Sequence, residues 1–543
     1  MGFGYADKEA GRVPDEETVY PIASCTKAFT GTLLSLLAQR GRIDLDAPAV
    51  SEIPSLDTKD NPTVARDMTV RDMLSHCAGL SSMPYAVIGK NGSVFARRED
   101  VVQIFNHLPS AAHFRSEWMY DNWLYALAGI LIDQELDGLS FGRAIEEAIF
   151  DKLGMKRTST GPPADGNHAV PYLVYDGSPA TPTKPPSLVD GNAFDGSGSV
   201  RSCVADLLTW NEALMQAWRA DRVSGSRVGC EVARRDTVVE AYFSCFQPLF
   251  LRLRHTVANA NKDSPGQNFQ DPLPAALVTA QTPHFPLGDD GKQQYALGLF
   301  HLQLPTSQMN VVTNSDVNSR DYMIGKDSQK RIAIGHTGEL GGFLSAYWTF
   351  PEEDSPVVVL CNSFQINGDP TNIVAQFLVQ VLFDLRPAVD FVKVAHDIVR
   401  KAKGRWATVL EQWNAHRREG TEPKKLGAYT GIYRAEGLAI DLEVFTNGGA
   451  PADSSAMHHH PLQVRVNGSD EQVFELRHYH DDSWTFLSDS RDECIKQGYS
   501  ACLYCWESFV IHFSGFKDGR ASKAEWRLDP DLRVKPQSFS RKP

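Results

Sequence analysis

The sequence predicts an α+β protein: an α/β sandwich with an antiparallel sheet and a helical part, followed by a strand-rich C-terminal unit. Three patterns predict it. Helical spacing of apolar residues dominates the first 220 positions. From residue 293 the period switches to β-rich runs divided by tight turns, and beyond "TEPKK" short strands alternate with turns. A chain of 543 residues exceeds the usual size of one core, so two domains, or one core with large insertions, are expected.

The elements follow in order. "PIASCTKAFTGTLLSLLAQRGRIDLD" opens as a short apolar strand and becomes a helix with a glycine stop. "TVRDMLSHCAGLSS" has helical spacing through Val70, Met73 and Leu74, and residues 99 to 108 form a second short amphipathic helix. "FRSEWMYDNWLYALAGILIDQELDG" runs from a loop into an apolar helix whose Ala126, Ala128 and Gly129 permit close packing. "SFGRAIEEAIFDKLGMKRTS" is a helix closing at Gly154, and the Pro/Gly-rich stretch from about 160 to 195 is a surface excursion. "GSGSVRSCVADLLTWNEALMQAW" returns to helix, with Asp206 and Trp210 in packing and capping roles. Residues 220 to 290 read as polar helix and loop, an insertion or lid over a cleft. "QQYALGLFHLQL", "RIAIGHTGELGGFLSAYWTFP" and "SPVVVLCNS" make an antiparallel meander, and "NIVAQFLVQVLFDL" is the last packing helix. The domains are therefore 1–385, a helical connector 386–425, and 426–543, whose strand spacing fits a small barrel or sandwich.

Ser24 and Lys27 stand three residues apart at a helix start, on one face, where a shielded amine loses charge and can take the hydroxyl proton. S-x-x-K alone is weak, since Ser514 and Lys517 match it in a strand and turn. Two further segments add to it. "YDN" places Tyr120 and Asn122 in a loop before an apolar helix, and "HTG" places His336, Thr337 and Gly338 on a strand leading into "ELGGF". Each residue has a bland reading as well: Tyr120 in the core with a wet hydroxyl, Asn122 as a helix cap, His336 in a turn, and His76 as a structural hydrogen-bonder.

In order and placement, these motifs resemble the serine hydrolases of the β-lactamase and penicillin-binding-protein superfamily, in particular the class C-like, peptidase S12 branch. "GRIDLDAPAV", "TVRDMLSHCAGLSS", "DKLGMKRTS" and "VVVLCNS" carry the likeness across roughly residues 3 to 385. From "LGAYTGIYR" onward the tail resembles the lipocalin-like antiparallel β-barrel of some S12 proteins. The resemblance implies a β-lactamase/transpeptidase-like domain and a mechanism. Ser24 becomes acylated, Lys27 and Tyr120 move its proton, and Asn122 holds Lys27 and a substrate amide. The N–H groups of Ser24 and Glu339 form the oxyanion hole, with His336, Thr337 and Gly338 beside it. His336 stands where many members have lysine, which favours esters, thioesters or D-amino-acid derivatives over β-lactam or peptidoglycan substrates. Members of the branch also have a helix and one or two strands before the nucleophile, and "GFGYAD" resembles the end of the second strand. Only 23 residues precede Ser24 here, so the sheet is expected to lack an edge strand and its covering helix, leaving apolar surface.

A serine hydrolase or acyltransferase acting on small esters or thioesters, which family analogy places in secondary metabolism, is the leading expectation. A D-stereospecific amidase or aminopeptidase, or a catalytically silent ligand-binding paralogue, are the alternatives. Composition limits the partners. Net charge of −13 argues against nucleic acid and anionic membrane, no apolar run reaches membrane-spanning length, and no cofactor motif is present. Cys502 and Cys505 lack a second pair, and His458 to His460 sit in a solvated loop, so no metal is expected. Nine scattered cysteines and an N-terminus without a secretory signal point to a reduced, cytoplasmic setting.

Overall fold

A computed structural model describes the chain except residues 88, 137, 163–164, 226–270, 289–290, 308, 310–321, 365–367, 449–459 and 500–504. The core element is α1 (Thr26–Gln39), buried along nearly its whole length because it carries no charge after Lys27. Around it lie α2 (Asn122–Glu135), α3 (Val204–Gly225) and α4 (Leu273–Gln281). Six antiparallel strands follow: β1 (Phe285–Pro286), β2 (Gln293–Tyr295), β3 (Phe300–Leu304), β4 (Arg331–Leu340), β5 (Phe343–Phe350) and β6 (Ser355–Cys361). Their order is β6-β5-β4-β3-β2-β1, a meander with β6 at one edge.

The sheet is buried on both faces, which the two-residue period of β5 makes plain. Tyr347 joins the core around α1, whereas Ala346, Trp348 and Phe350 join a second core with Ala375 and Val379 of α5 (Pro370–Leu382). The outer side of α5 leaves Val374, Phe377, Leu378 and Leu382 exposed. Ala6, in the segment "GFGYAD", is buried with Tyr20, Ala169 and Phe343.

Within the 220–290 stretch, α4 is core rather than lid, whereas residues 220–223 at the end of α3 are exposed. The helix α3 continues to Gly225, and α4 buries Leu273, Ala276, Leu277 and Ala280 beside α1 and α3. An apolar "LPAALVTAQ" has no reason to stay in solvent. Most of the expected insertion, residues 226–270, lies outside the described residues, as do Cys502, His458 and His459.

The connector α6 (Phe391–His416) is amphipathic, with Phe391, Val394, Ile398, Ala402, Trp406, Val409 and Trp413 buried in one stripe. It leads to a closed eight-stranded barrel: β7 (Gly431–Ala435), β8 (Ile440–Thr446), β9 (Leu462–Val466), β10 (Val473–His480), β11 (Ser483–Thr485), β12 (Val510–Ser514), β13 (Lys523–Trp526) and β14 (Gln537–Arg541). Antiparallel pairing of β7 with β14 closes it and removes the sheet edges. Alternation is clean in β9, where Leu462, Val464 and Val466 are buried. Among the described residues no helix is long and apolar enough to cross a membrane.

Candidate active site

Ser24 sits in a one-turn 3-10 segment, Ala23–Cys25, that feeds α1. Ala23 takes φ of +48°, a left-handed conformation that costs an alanine on the order of 1 kcal/mol. The turn lies against β4. A Cβ added to Gly338 would stand 3.0 Å from Ser24 N and 2.2 Å from Ile22 O, so only glycine lets the strand approach so closely.

Lys27, one helical turn on, is fully buried. Its Nζ lies 3.2 Å from Ser24 Oγ, 2.7 Å from Asn122 Oδ1 and 3.0 Å from the Ser197 carbonyl oxygen. Burial pulls its pKa well below the ordinary lysine value, against weaker charge interactions with Cys25 and Asp121. The ring faces of Tyr120 and Tyr125, 4.8 and 5.2 Å away, favour the ammonium, by about 2 kcal/mol or less each. Desolvation of the fully buried amine outweighs these attractions, so the net direction is downward. The carboxyl of Asp121 is also desolvated and pushed up to about 8, so the site holds no strong counter-charge for an ammonium.

In its uncharged form the amine would have a defined orientation. Asn122 Oδ1 and the Ser197 carbonyl can only accept, so they take the two N–H bonds of the uncharged amine. The lone pair is then left facing Ser24 Oγ. On the other side of that oxygen the Tyr120 hydroxyl donates to it at 2.6 Å. Burial raises the phenol of Tyr120, which therefore stays protonated and able to donate.

Neighbouring elements hold these groups. Thr30 Oγ1 donates to the Gly196 carbonyl at 2.7 Å and Thr26 Oγ1 accepts from Val200 N–H at 3.1 Å, tying α1 to the chain that presents Ser197. Asp121, not Asn122, caps α2 by accepting from Trp123 N–H at 2.8 Å, which leaves the Asn122 amide for Lys27. His76 brackets Tyr120. Its carbonyl accepts from Met119 N–H at 2.8 Å, its Nδ1 accepts from Asp121 N–H at 3.1 Å, and its ring lies 4.6 Å from the phenol ring. That is a structural hydrogen-bonding part rather than a base.

The structure thus brings Ser24, Lys27, Tyr120 and Asn122 into contact, with Gly338 against the turn. Ser24, Asn122 and Glu339 open on one cleft whose other wall is apolar, with Val87, Val94, Leu188 and Phe194. His336 is placed differently. It is 1% exposed, turned so that Nε2 meets the Tyr295 hydroxyl at 2.9 Å, and its ring lies 4.8 Å from Phe300. Burial lowers its pKa to about 3, so it is a neutral imidazole standing beside Tyr120. Thr337 is buried in β4, paired with Ala346 of β5. Asp206 accepts from Arg157 N–H at 2.7 Å and Thr158 Oγ1 at 2.8 Å, and Trp210 packs 4.3 Å from Phe29; neither reaches the cleft. Sequence reasoning did not find Ser197, because it acts through a backbone carbonyl; the small-residue run "DGSGS" was the available signal.

A buried amine and a phenol on either side of one serine hydroxyl, on a helix start beside an antiparallel sheet, define a serine-hydrolase class of site. The chain belongs to the beta-lactamase family, whose model matches residues 1–379; residues 415–541 match a domain of unknown function, DUF3471. It is 28% identical over 227 residues to an unguisins hydrolase of Aspergillus violaceofuscus, covering 39% of each chain. It is 26% identical to penicillin-binding protein 4* of Bacillus subtilis over 39% of this chain and 49% of that one. Identity to esterase EstB of Burkholderia gladioli is 27%, over 32% and 46%. The chain thus spans between about two-fifths and half the length of these relatives. Among solved structures, a class C beta lactamase from Rhodobacter sphaeroides matches with TM-score 0.48 and 22% identity, over 70% of this chain and 90% of that one.

Proposed function

We propose that the protein is an acyl-enzyme serine hydrolase acting on small, uncharged esters or thioesters. The observation that carries this reading is the placement of Lys27 Nζ, 3.2 Å from Ser24 Oγ and held by two carbonyl-type acceptors. Ser24 Oγ attacks the acyl carbonyl carbon while its proton passes to Lys27 Nζ. The carbonyl oxygen becomes an oxyanion facing the N–H groups of Ser24 and Glu339, where a lost donor typically costs about 3 to 4 kcal/mol. Collapse breaks the bond to the leaving oxygen or sulfur, which takes a proton through Tyr120, and Lys27 restores that proton. Water then repeats the sequence on the acyl-enzyme, with Lys27 as base and Ser24 as leaving group.

Uncharged substrates are supported by the apolar lining of Val87, Val94, Leu188 and Phe194. Relatives named as an esterase and a hydrolase support hydrolysis. The free thiols of Cys25, Cys77, Cys203, Cys361 and Cys505 support a reducing, cytoplasmic setting. The test is intact-mass analysis after a fluorophosphonate probe. One adduct is expected on the wild type and none on Ser24→Ala, with turnover of p-nitrophenyl esters by the wild type alone. A folded wild type that takes no adduct contradicts the proposal and favours a ligand-binding role.

A further inference from the structure

Part of the apolar lining of the cleft is held by two domains. Its own domain supplies the Pro109 carbonyl, which accepts from Ser81 N–H at 2.8 Å, and Ser187 Oγ, which accepts from Val94 N–H at 3.4 Å. Val87 and Val94 belong to the segment 81–95, and its backbone is secured by the barrel at both ends. At one end Asp529 Oδ2 accepts from Met83 N–H at 3.1 Å and from the Ser81 hydroxyl, and the Leu528 carbonyl accepts from Tyr85 N–H at 3.3 Å. At the other, Gln472 uses both ends of its amide. Its Oε1 accepts from Lys90 N–H at 2.8 Å, and its Nε2 donates to Ser93 Oγ at 2.9 Å and to the Lys90 carbonyl at 3.3 Å.

Gln472 is 2% exposed, and the fit around it is close. A Cβ on Gly89 would stand 2.2 Å from Gln472 Oε1, so the segment's glycine is what lets that amide reach the backbone. Lys90 Nζ adds a bond to the Val473 carbonyl at 2.9 Å and lies 4.8 Å above the Tyr499 ring. A buried amide satisfied on both atoms by one loop fixes that loop's path. Loops that bound a pocket decide which substrates fit it.

We infer that the C-terminal barrel is a working part of the substrate pocket: Gln472 is a positioning residue that holds the Val87–Val94 wall and so limits the size of the acyl group accepted at Ser24. This rests on the acyl-enzyme reading above and gives the barrel a role in selectivity. The full-length protein is assayed with p-nitrophenyl acetate and p-nitrophenyl octanoate. Gln472→Leu, of similar volume but with no polar amide, is expected to raise the octanoate-to-acetate ratio of kcat/KM by about tenfold, the scale on which apolar pockets discriminate chain length. Gln472→Glu keeps the acceptor for Lys90 N–H and loses the donor, and should move the ratio the same way by a smaller factor. Hydrogen exchange should quicken at amides 87–95 in both variants while α1 stays protected. Val94→Ala enlarges the wall directly and reports whether that wall reads chain length. An unchanged ratio in both Gln472 variants, with Val94→Ala shifting it, overturns the inference and leaves the acyl-enzyme reading standing. Equal losses on both esters also overturn it, as mere destabilisation. A wild type that takes no fluorophosphonate overturns the underlying reading and the inference with it.

Discussion

Gly338→Ala tests the site with the smallest possible change. The added Cβ would stand 2.2 Å from Ile22 O and 2.5 Å from Ser345 Oγ, where ordinary contact starts at 3.4 Å. The serine hydroxyl can turn only by giving up its 2.7 Å bond to Ile22 O. The Ile22 carbonyl is backbone two residues before Ser24, so the nucleophile turn or β4 must give way by about 1 Å. A misplacement of that size costs about 100-fold in rate, and overpacking of a dense interior costs about 1 to 3 kcal/mol of stability. The assay is kcat/KM on p-nitrophenyl acetate beside the rate of fluorophosphonate labelling, with thermal unfolding to separate rate from fold. A folded Gly338→Ala protein within about threefold of wild-type labelling would refute the claimed fit of strand to turn.

Three other outcomes are expected. Lys27→Met should slow Ser24 labelling by about 10² to 10⁴ and leave the melting temperature unchanged or raised, because it replaces a desolvated amine with an apolar chain of like volume. Tyr120→Phe should slow labelling by about 10² while the pH dependence set by Lys27 persists. Acid stability should fall through His336. Its pKa lies near 3 in the fold against 6.5 unfolded, so between those values the unfolded chain binds the extra proton. The stabilisation is therefore complete above about pH 6.5 and is lost as pH drops toward 3, by about 3 kcal/mol at pH 4.5. Urea midpoints of wild type and His336→Gln at pH 7.5 and 4.5 should show the wild type losing more.

Much of this site was legible because helix and strand starts are local features. Ser24 and Lys27 meet by helical spacing alone, and Tyr120 precedes a helix whose apolar run is unmistakable. What the residues could not show were decisions taken by backbone and long-range packing. The Ser197 carbonyl has no side-chain signature. Asp121 rather than Asn122 caps α2, and nothing in "YDN" says which of two adjacent cap formers takes the role. The place of His336 depends on Tyr295 and Phe300, strand neighbours about forty residues away in sequence. The helix α4 was hidden by the unreadable stretch before it, although its own composition is that of a core helix. The barrel's hold on segment 81–95 joins residues about 380 to 450 positions apart, beyond the reach of any local pattern.

The central claim is that Lys27 is uncharged when Ser24 reacts. Its charge can be read directly by NMR titration of lysine ε-carbons in protein labelled with [ε-¹³C]lysine, with Lys27→Met to assign the signal. A resonance already in the amine form at pH 7.5, changing only at lower pH and in step with the rate of Ser24 acylation, is the predicted result. A Lys27 signal that stays in the ammonium form until about pH 10.4, as for a lysine in water, would contradict the account.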